Sequence, residues 1–176
     1  MLRPLTVAPP SARRGAAAAL LAGGLLAGCA TSPPSTLDDL IAFDDRLLAE
    51  SVVGGLTDAA SIEALGPLRE TVRVPYEAEH AEGQWDDVTF RFDGLQVTAL
   101  IRREPPHEAL VTGVIISSPK WPLAGGLATG MPASRIRMKM PPNPASPLRF
   151  CGLVNCIGFE VQQGRISRIL VSLYAE

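Results

Sequence analysis

The sequence predicts an α+β fold: short helices packed on an antiparallel β-sheet, arranged as two divergent tandem helix–β-meander units. Three observations point there. Apolar residues recur at three- and four-residue spacing over 37–50 and at alternate positions in most later segments. Turn and stop signals, drawn from 16 Gly and 16 Pro among 176 residues, separate those segments. One order of elements (a glycine, a short helix, a proline, a run of strands) occurs twice along the chain.

Leu37, Leu40, Ile41, Leu47 and Leu48 share a helical register with Asp44, while Asp38, Asp39, Asp45, Arg46 and Glu50 fall between them. This predicts a helix over 37–50, capped by Thr36 and ended by Gly54-Gly55. Thr57 or Asp58 caps a second, shorter helix through Ile62 and Leu65, which Gly66-Pro67 stops. Residues 71–76 alternate weakly. Val88, Phe90 and Phe92 alternate with Thr89 and Arg91, and Asp93-Gly94 turns the chain into 95–102, a good hairpin signal. Glu104-Pro105-Pro106-His107 breaks the pattern, and the β-branched run 111–117 reads as a further strand. A Gly-rich loop over 121–130 leads to a short helix at 134–138, and the Pro-rich run 141–147 excludes regular structure. Residues 148–151, 156–161 and 165–174 complete the set as three strands.

Residues 88–100 align without a gap on 157–169, matching Val88 with Ile157, Phe90 with Phe159, Phe92 with Val161, Val97 with Ile166 and Leu100 with Ile169. Upstream, Gly55-Leu56, Ile62 and Gly66-Pro67 answer Gly130-Met131, Ile136 and Met140-Pro141. A degenerate duplication accounts for this shared order better than chance alternation does. A helical stretch followed by Gly-x-Pro or Pro-Pro and a three-stranded meander resembles the SmpA family, the small lipoprotein of the outer-membrane β-barrel assembly machine. In tandem it resembles the β-lactamase-inhibitor-protein fold, in which two such units sit side by side. The resemblance covers most of 54–102 and 128–172 and implies architecture alone. The second unit has Met-Pro-Pro in place of Leu-Gly-x-Pro, and Leu65-Gly66-Pro67 lacks the intervening residue, so no functional residue is carried over.

A net charge of -2 averages three unlike regions. Residues 1–28 carry three Arg and no acid, 29–108 carry 16 acids against six Arg, and 109–176 carry two acids against seven bases. The near-neutral total and the low aromatic content of 5% argue against a nucleic-acid partner. Arg3, Arg13 and Arg14 precede an uncharged Ala/Leu/Gly run over 15–27, which is shorter than the roughly 20 residues needed to cross a bilayer core. Residues 1–28 therefore read as a signal peptide. Leu26-Ala27-Gly28-Cys29 closes that segment and resembles the lipobox of bacterial lipoproteins. The resemblance implies cleavage before Cys29, lipidation of its thiol and acylation of the new amine, which makes the membrane a partner through a lipid anchor. Ala30 stands where an acidic residue would retain such a protein in the inner membrane, implying an outer-membrane location facing the periplasm. Residues 29–36 then form a lipidated tether, 37–108 a first, acidic helix/β-meander unit, and 109–176 a second, basic, β-rich unit. Anionic head groups repel the acidic helix 37–50, so the domain is expected to stand off the bilayer on its tether.

With Cys29 lipidated, Cys151 and Cys156 are the two cysteines left. An oxidising periplasm and a strand-loop-strand bend between them predict a disulfide. A zinc site would need about two more soft ligands, and the spacing is not the Cys-x-x-Cys of a redox pair. Residues 76–87 gather Glu77, Glu79, His80, Glu82, Asp86 and Asp87 around Trp85. Such a run reads as a solvated hairpin loop, or, because exposed Trp is enriched at contacts, as a loop in which Trp85, Glu79, Glu82, Asp86 and Asp87 meet a basic partner or a weakly held cation. The carboxylates lack the regular spacing of a calcium loop.

Ser117-Ser118-Pro119-Lys120 matches Ser-x-x-Lys, but Pro119 and Pro122 deny it the helix start that such chemistry needs, and the companion motifs are missing. Gly125–Gly130 has the glycine spacing of a phosphate loop and is followed by Met131-Pro132 in place of its Lys and hydroxyl. His80 and His107 are the only imidazoles, and there is no nucleophile elbow. No catalytic residue, metal or cofactor is expected. The leading expectation is a non-catalytic binding or assembly module of the cell envelope with an envelope protein as partner; the alternative is an inhibitor of a periplasmic or cell-wall enzyme. Arg135, Arg137, Lys139, Arg149, Arg165 and Arg168 either pack against the acidic first half or leave a dipolar surface that steers a charged partner.

Overall fold

A computed structural model of the chain describes residues 37–50, 52, 54–77, 84–123, 125–139 and 148–174. Residues 1–28, expected to be a signal peptide, Cys29, the expected tether with Thr36, the loop residues Glu79, His80 and Glu82, and the Pro-rich run 141–147 lie outside the described residues. The fold is α+β. Among the described residues three helices, α1 (Leu37–Glu50), α2 (Ala59–Glu63) and α3 (Ser134–Lys139), accompany seven strands: β1 (Glu70–Tyr76), β2 (Trp85–Phe92), β3 (Leu95–Arg102), β4 (Ala109–Ile116), β5 (Arg149–Cys151), β6 (Cys156–Gln162) and β7 (Arg165–Ser172). Of the two candidate caps for α2, Asp58 is the one used: its Oδ1 accepts from Ser61 N at 2.7 Å while Ser61 Oγ accepts from Asp58 N at 3.2 Å, a reciprocal capping box.

The strands form one antiparallel sheet in the order β1-β2-β3-β4-β7-β6-β5. Alternation divides it into two faces. Phe90, Val97, Val114, Val171, Ile157 and Phe150 lie opposite one another from β2 to β5 and are all buried. Phe43 and Leu47 of α1, Ile62 of α2, Ile136 of α3, and Leu123 and Leu127 from the Gly-rich loop belong to the same core cluster. The described helices thus shield one face of the sheet. The edges differ. β5 is three residues long and lies beside α1, whereas every residue of β1 is exposed, and Pro75 sits within that strand. Proline is tolerated there because an edge strand need not donate on both sides.

β4 and β7 meet at the centre, with Gly113, Val114, Ile115 and Ile116 opposite Ser172, Val171, Leu170 and Ile169. About the Ile115–Leu170 pair the strands correspond in order: β4 with β7, β3 with β6, β2 with β5. Each central strand carries one unpaired residue, Thr112 in β4 and Ser167 in β7. Each donates its hydroxyl to a carbonyl of the neighbouring strand, Thr112 to Thr98 O at 3.3 Å and Ser167 to Glu160 O at 3.1 Å. Further bonds repeat in kind. Ala109 N donates to Thr57 O and Ile166 N to Met131 O, both at 2.9 Å; Ala59 N donates to His107 O at 3.2 Å and Ala133 N to Gly164 O at 2.9 Å. They tie the segments before α2 and α3 to the starts of β4 and β7.

This correspondence differs from the ungapped alignment of 88–100 with 157–169, which sets β2–β3 against β6–β7. Every hairpin of a one-sided sheet shows the same alternation, so periodicity cannot separate a true match from one displaced by a strand. β4 itself is bound to β3 from Leu95–Ile116 through to Ile101–Ala109, so the sequence boundary at 108/109 falls in the connection between two paired strands.

Candidate binding surface

The face of the sheet away from the helices carries two unlike zones. Its middle is mixed: Thr89, Thr98, Gly113 and Ser172 run across β2, β3, β4 and β7, and the half-buried Ile115–Leu170 pair lies beside them. Toward the β1 edge it is apolar. Val74, Asp87, Leu100 and Leu110 form one cross-strand row, and Tyr76, Trp85 and Arg102 the next. Val74 is 55% exposed, Tyr76 43% and Leu110 38%. Trp85 is half-buried, with the Arg102 guanidinium 5.2 Å from its ring centroid, and Arg102 also pairs with Glu108 at 3.1 Å. Grouped exposed apolar side chains on an otherwise polar surface are the usual mark of a contact site.

The residues singled out around Trp85 part company here. Asp87 is exposed within the apolar row, while Asp86, its neighbour, points to the core side and is buried. Arg73 reaches Asp86 Oδ2 at 2.9 Å and Arg103 reaches Oδ1 at 2.7 Å. Burial pushes the Asp86 carboxyl up, but the hydrogen bonds and charges of Arg103 and Arg73 outweigh it and hold the group below the ordinary aspartate range. At the far end of the same hairpin, Lys120 and then Arg69 lower Asp93 in the same sense. Lys120 is therefore joined to Asp93, and the Ser-x-x-Lys lysine does not address Ser117. His107 is exposed, with Nδ1 3.2 Å from Arg102 O. Among the described residues there is no cluster of three or more metal-ligating side chains and no helix long and apolar enough to cross a membrane.

Of the charged contacts, Arg69–Asp93, Arg73–Asp86, Arg91–Glu70, Arg102–Glu108 and Arg103–Asp86 stay within the acidic first half, and Arg168–Glu160 within the second. Lys120–Asp93 joins the two.

No protein-family model, curated protein or solved structure matches this chain.

The second cluster with chemical content lies where α1 meets the β5–β6 turn. Cys151 and Cys156, directly opposite in the ladder, form a disulfide that closes the four-residue turn 152–155. The buried Asp44 carboxylate of α1 sits over that turn: Oδ2 accepts from Leu153 N at 2.8 Å and Val154 N at 3.0 Å, and Oδ1 accepts from Asn155 N at 3.1 Å. Three converging N–H groups are what a buried carboxylate needs in place of water. The sequence signal for Asp44 is an acidic residue in the apolar register of an amphipathic helix, a position where an unsatisfied charge could not persist.

Proposed function

We propose that this protein is a lipid-anchored, non-catalytic binding or assembly module of the cell envelope, tethered through Cys29 to the outer membrane and facing the periplasm. The observation that carries the reading is the apolar strip of Val74, Tyr76, Trp85, Leu100 and Leu110 on the face of the sheet away from the described helices, at the β1 edge. An envelope protein covers that strip. We also read the two halves as divergent copies of one helix–β-meander unit; the repeated bulge hydroxyls and helix-to-strand bonds about Ile115–Leu170 support that reading.

The test is capture from detergent-solubilised envelope using the full chain, in parallel with a Val74→Glu/Leu110→Glu variant. Recovery of a barrel-assembly or transport complex by the wild type and its loss from the variant is the expected result. Equal recovery by both would remove the strip from the contact, and recovery of a single hydrolase would favour an inhibitor. Labelled palmitate should enter the wild type and not Cys29→Ser.

A further inference from the structure

A second exposed apolar patch lies at the end of the fold where the tether joins it. Leu37 is 59% exposed and Leu153 54%, and Ile41, Val154 and Tyr174 are exposed with them. Ile41 and Leu37 precede Asp44 by three and seven positions, so they continue along the side of α1 that carries Asp44. Asp44 in turn binds the backbone of Leu153 and Val154, and Tyr174 N donates to Asn155 Oδ1 at 3.2 Å. These bonds set the backbone of Leu153, Val154 and Tyr174 at the side of α1 along which Leu37 and Ile41 continue.

We propose that this patch rests on the bilayer that holds the chain's own lipid anchor, and that it favours neutral, zwitterionic head groups over anionic ones. The proposal rests on the reading of Cys29 as lipidated. Eight residue steps separate Cys29 from Leu37, and even fully extended they reach roughly 28 Å, less than the width of a domain this size. Leu37 belongs to the patch itself, so the tether cannot carry the patch far from the surface. Five side chains contribute too little to recruit a free protein, but the anchor makes the contact intramolecular, and a weak contact is then populated. Tyr174 suits the head-group region, where aromatic residues with a polar end accumulate. The head-group preference follows from charge: Asp38 and Asp45 stand exposed beside Ile41, while Arg46 lies on another side of α1 with its guanidinium 5.8 Å from the Phe43 ring centroid. On a strongly anionic surface the same helix is held off.

The experiment uses the full-length acylated protein carrying Leu153→Trp, reconstituted into phosphatidylcholine vesicles or vesicles with half phosphatidylglycerol, each with and without brominated acyl chains. The mass of the N-terminal peptide from the same sample reports acylation of Cys29. In brominated phosphatidylcholine the added tryptophan is expected to be quenched about twofold more than the native Trp85 and Trp121 of the wild type. Phosphatidylglycerol should reduce the difference. Adding Ile41→Gln and Val154→Gln should abolish it while a cooperative melting transition shows the fold retained, since both side chains are exposed and no charge is added beside Asp44. Quenching no greater than the wild-type background, with Cys29 acylated, overturns the proposal and leaves the anchor standing. A blue-shifted, unquenched signal also overturns it, by showing that protein covers the patch. Equal or stronger quenching in phosphatidylglycerol overturns the head-group preference. An unacylated Cys29 overturns the anchor and the proposal together, and the peptide mass identifies that case.

Discussion

Asp44 and Gly152 compete for one space: a Cβ at residue 152 would overlap the Asp44 carboxylate and lie 2.9 Å from the Leu40 carbonyl oxygen. The absence of a side chain at 152 is what lets the helix carboxylate descend onto the turn. Gly152→Ala should therefore lower stability by about 2–4 kcal/mol, comparable to Asp44→Ala, which strips three N–H groups of their acceptor. Denaturant unfolding of the two single variants and the double variant checks this. The double should lose little beyond either single, because both break the same contact.

Reducing the Cys151–Cys156 bond, or replacing both residues by Ser, should cost about 2 kcal/mol in the chain-entropy model for so small a loop. The same change should weaken the Asp44 contact, since the disulfide holds the turn that presents the three N–H groups. Hydrogen exchange at 153–155 should rise in the reduced protein. Unchanged protection there would show that the turn holds its shape without the bond.

Asp86 supplies the expected acid sensitivity. Its carboxyl is held below its unfolded value, so its contribution to stability is fully present above roughly pH 4 and is lost as pH falls through the native-state value. Asp86→Asn should lower the melting temperature at neutral pH, leaving Arg73 and Arg103 without their carboxylate. It should also flatten the decline on acidification. A melting series from pH 7 to about pH 2.5 distinguishes the two proteins, and parallel curves would exclude Asp86 as the source.

Thr112→Val and Ser167→Ala should each cost about 1 kcal/mol, the loss of one hydroxyl bond to a carbonyl across a bulge. The two sites lie beyond opposite ends of the β4–β7 ladder and share no partner, so their effects should add. A marked departure from additivity in thermal unfolding would reveal coupling through the β4–β7 seam.

The strands were legible because a sheet covered on one side leaves a plain record: Val88, Phe90 and Phe92 are buried, and Thr89 and Arg91 between them are not. Asp58 and Asp93-Gly94 were legible as local chemistry, a cap and a turn. The order of the strands in the sheet was not, because alternation is the same in β2 as in β3. Asp86 looked like part of a solvated acidic loop because its partners stand 13 and 17 positions away, Arg73 in β1 and Arg103 just past the end of β3. The apolar strip was harder still. Val74 and Leu110 come from opposite ends of a four-strand meander, and only the registers of β1 through β4 place them in one row.

The Asp44 contact also sets the path that mechanical load takes. A pull on the chain ahead of Leu37 reaches α1 first, and from there passes through the buried Phe43 and Leu47 and through three hydrogen bonds into the turn at 153–155. That turn cannot unzip, because the disulfide crosses its base. The force is thereby shared between β5 and β6 and spread into the sheet, in place of peeling one edge strand away bond by bond. A fold fastened by its N-terminus would be expected to fail at the helix, with the sheet and its outward face left intact.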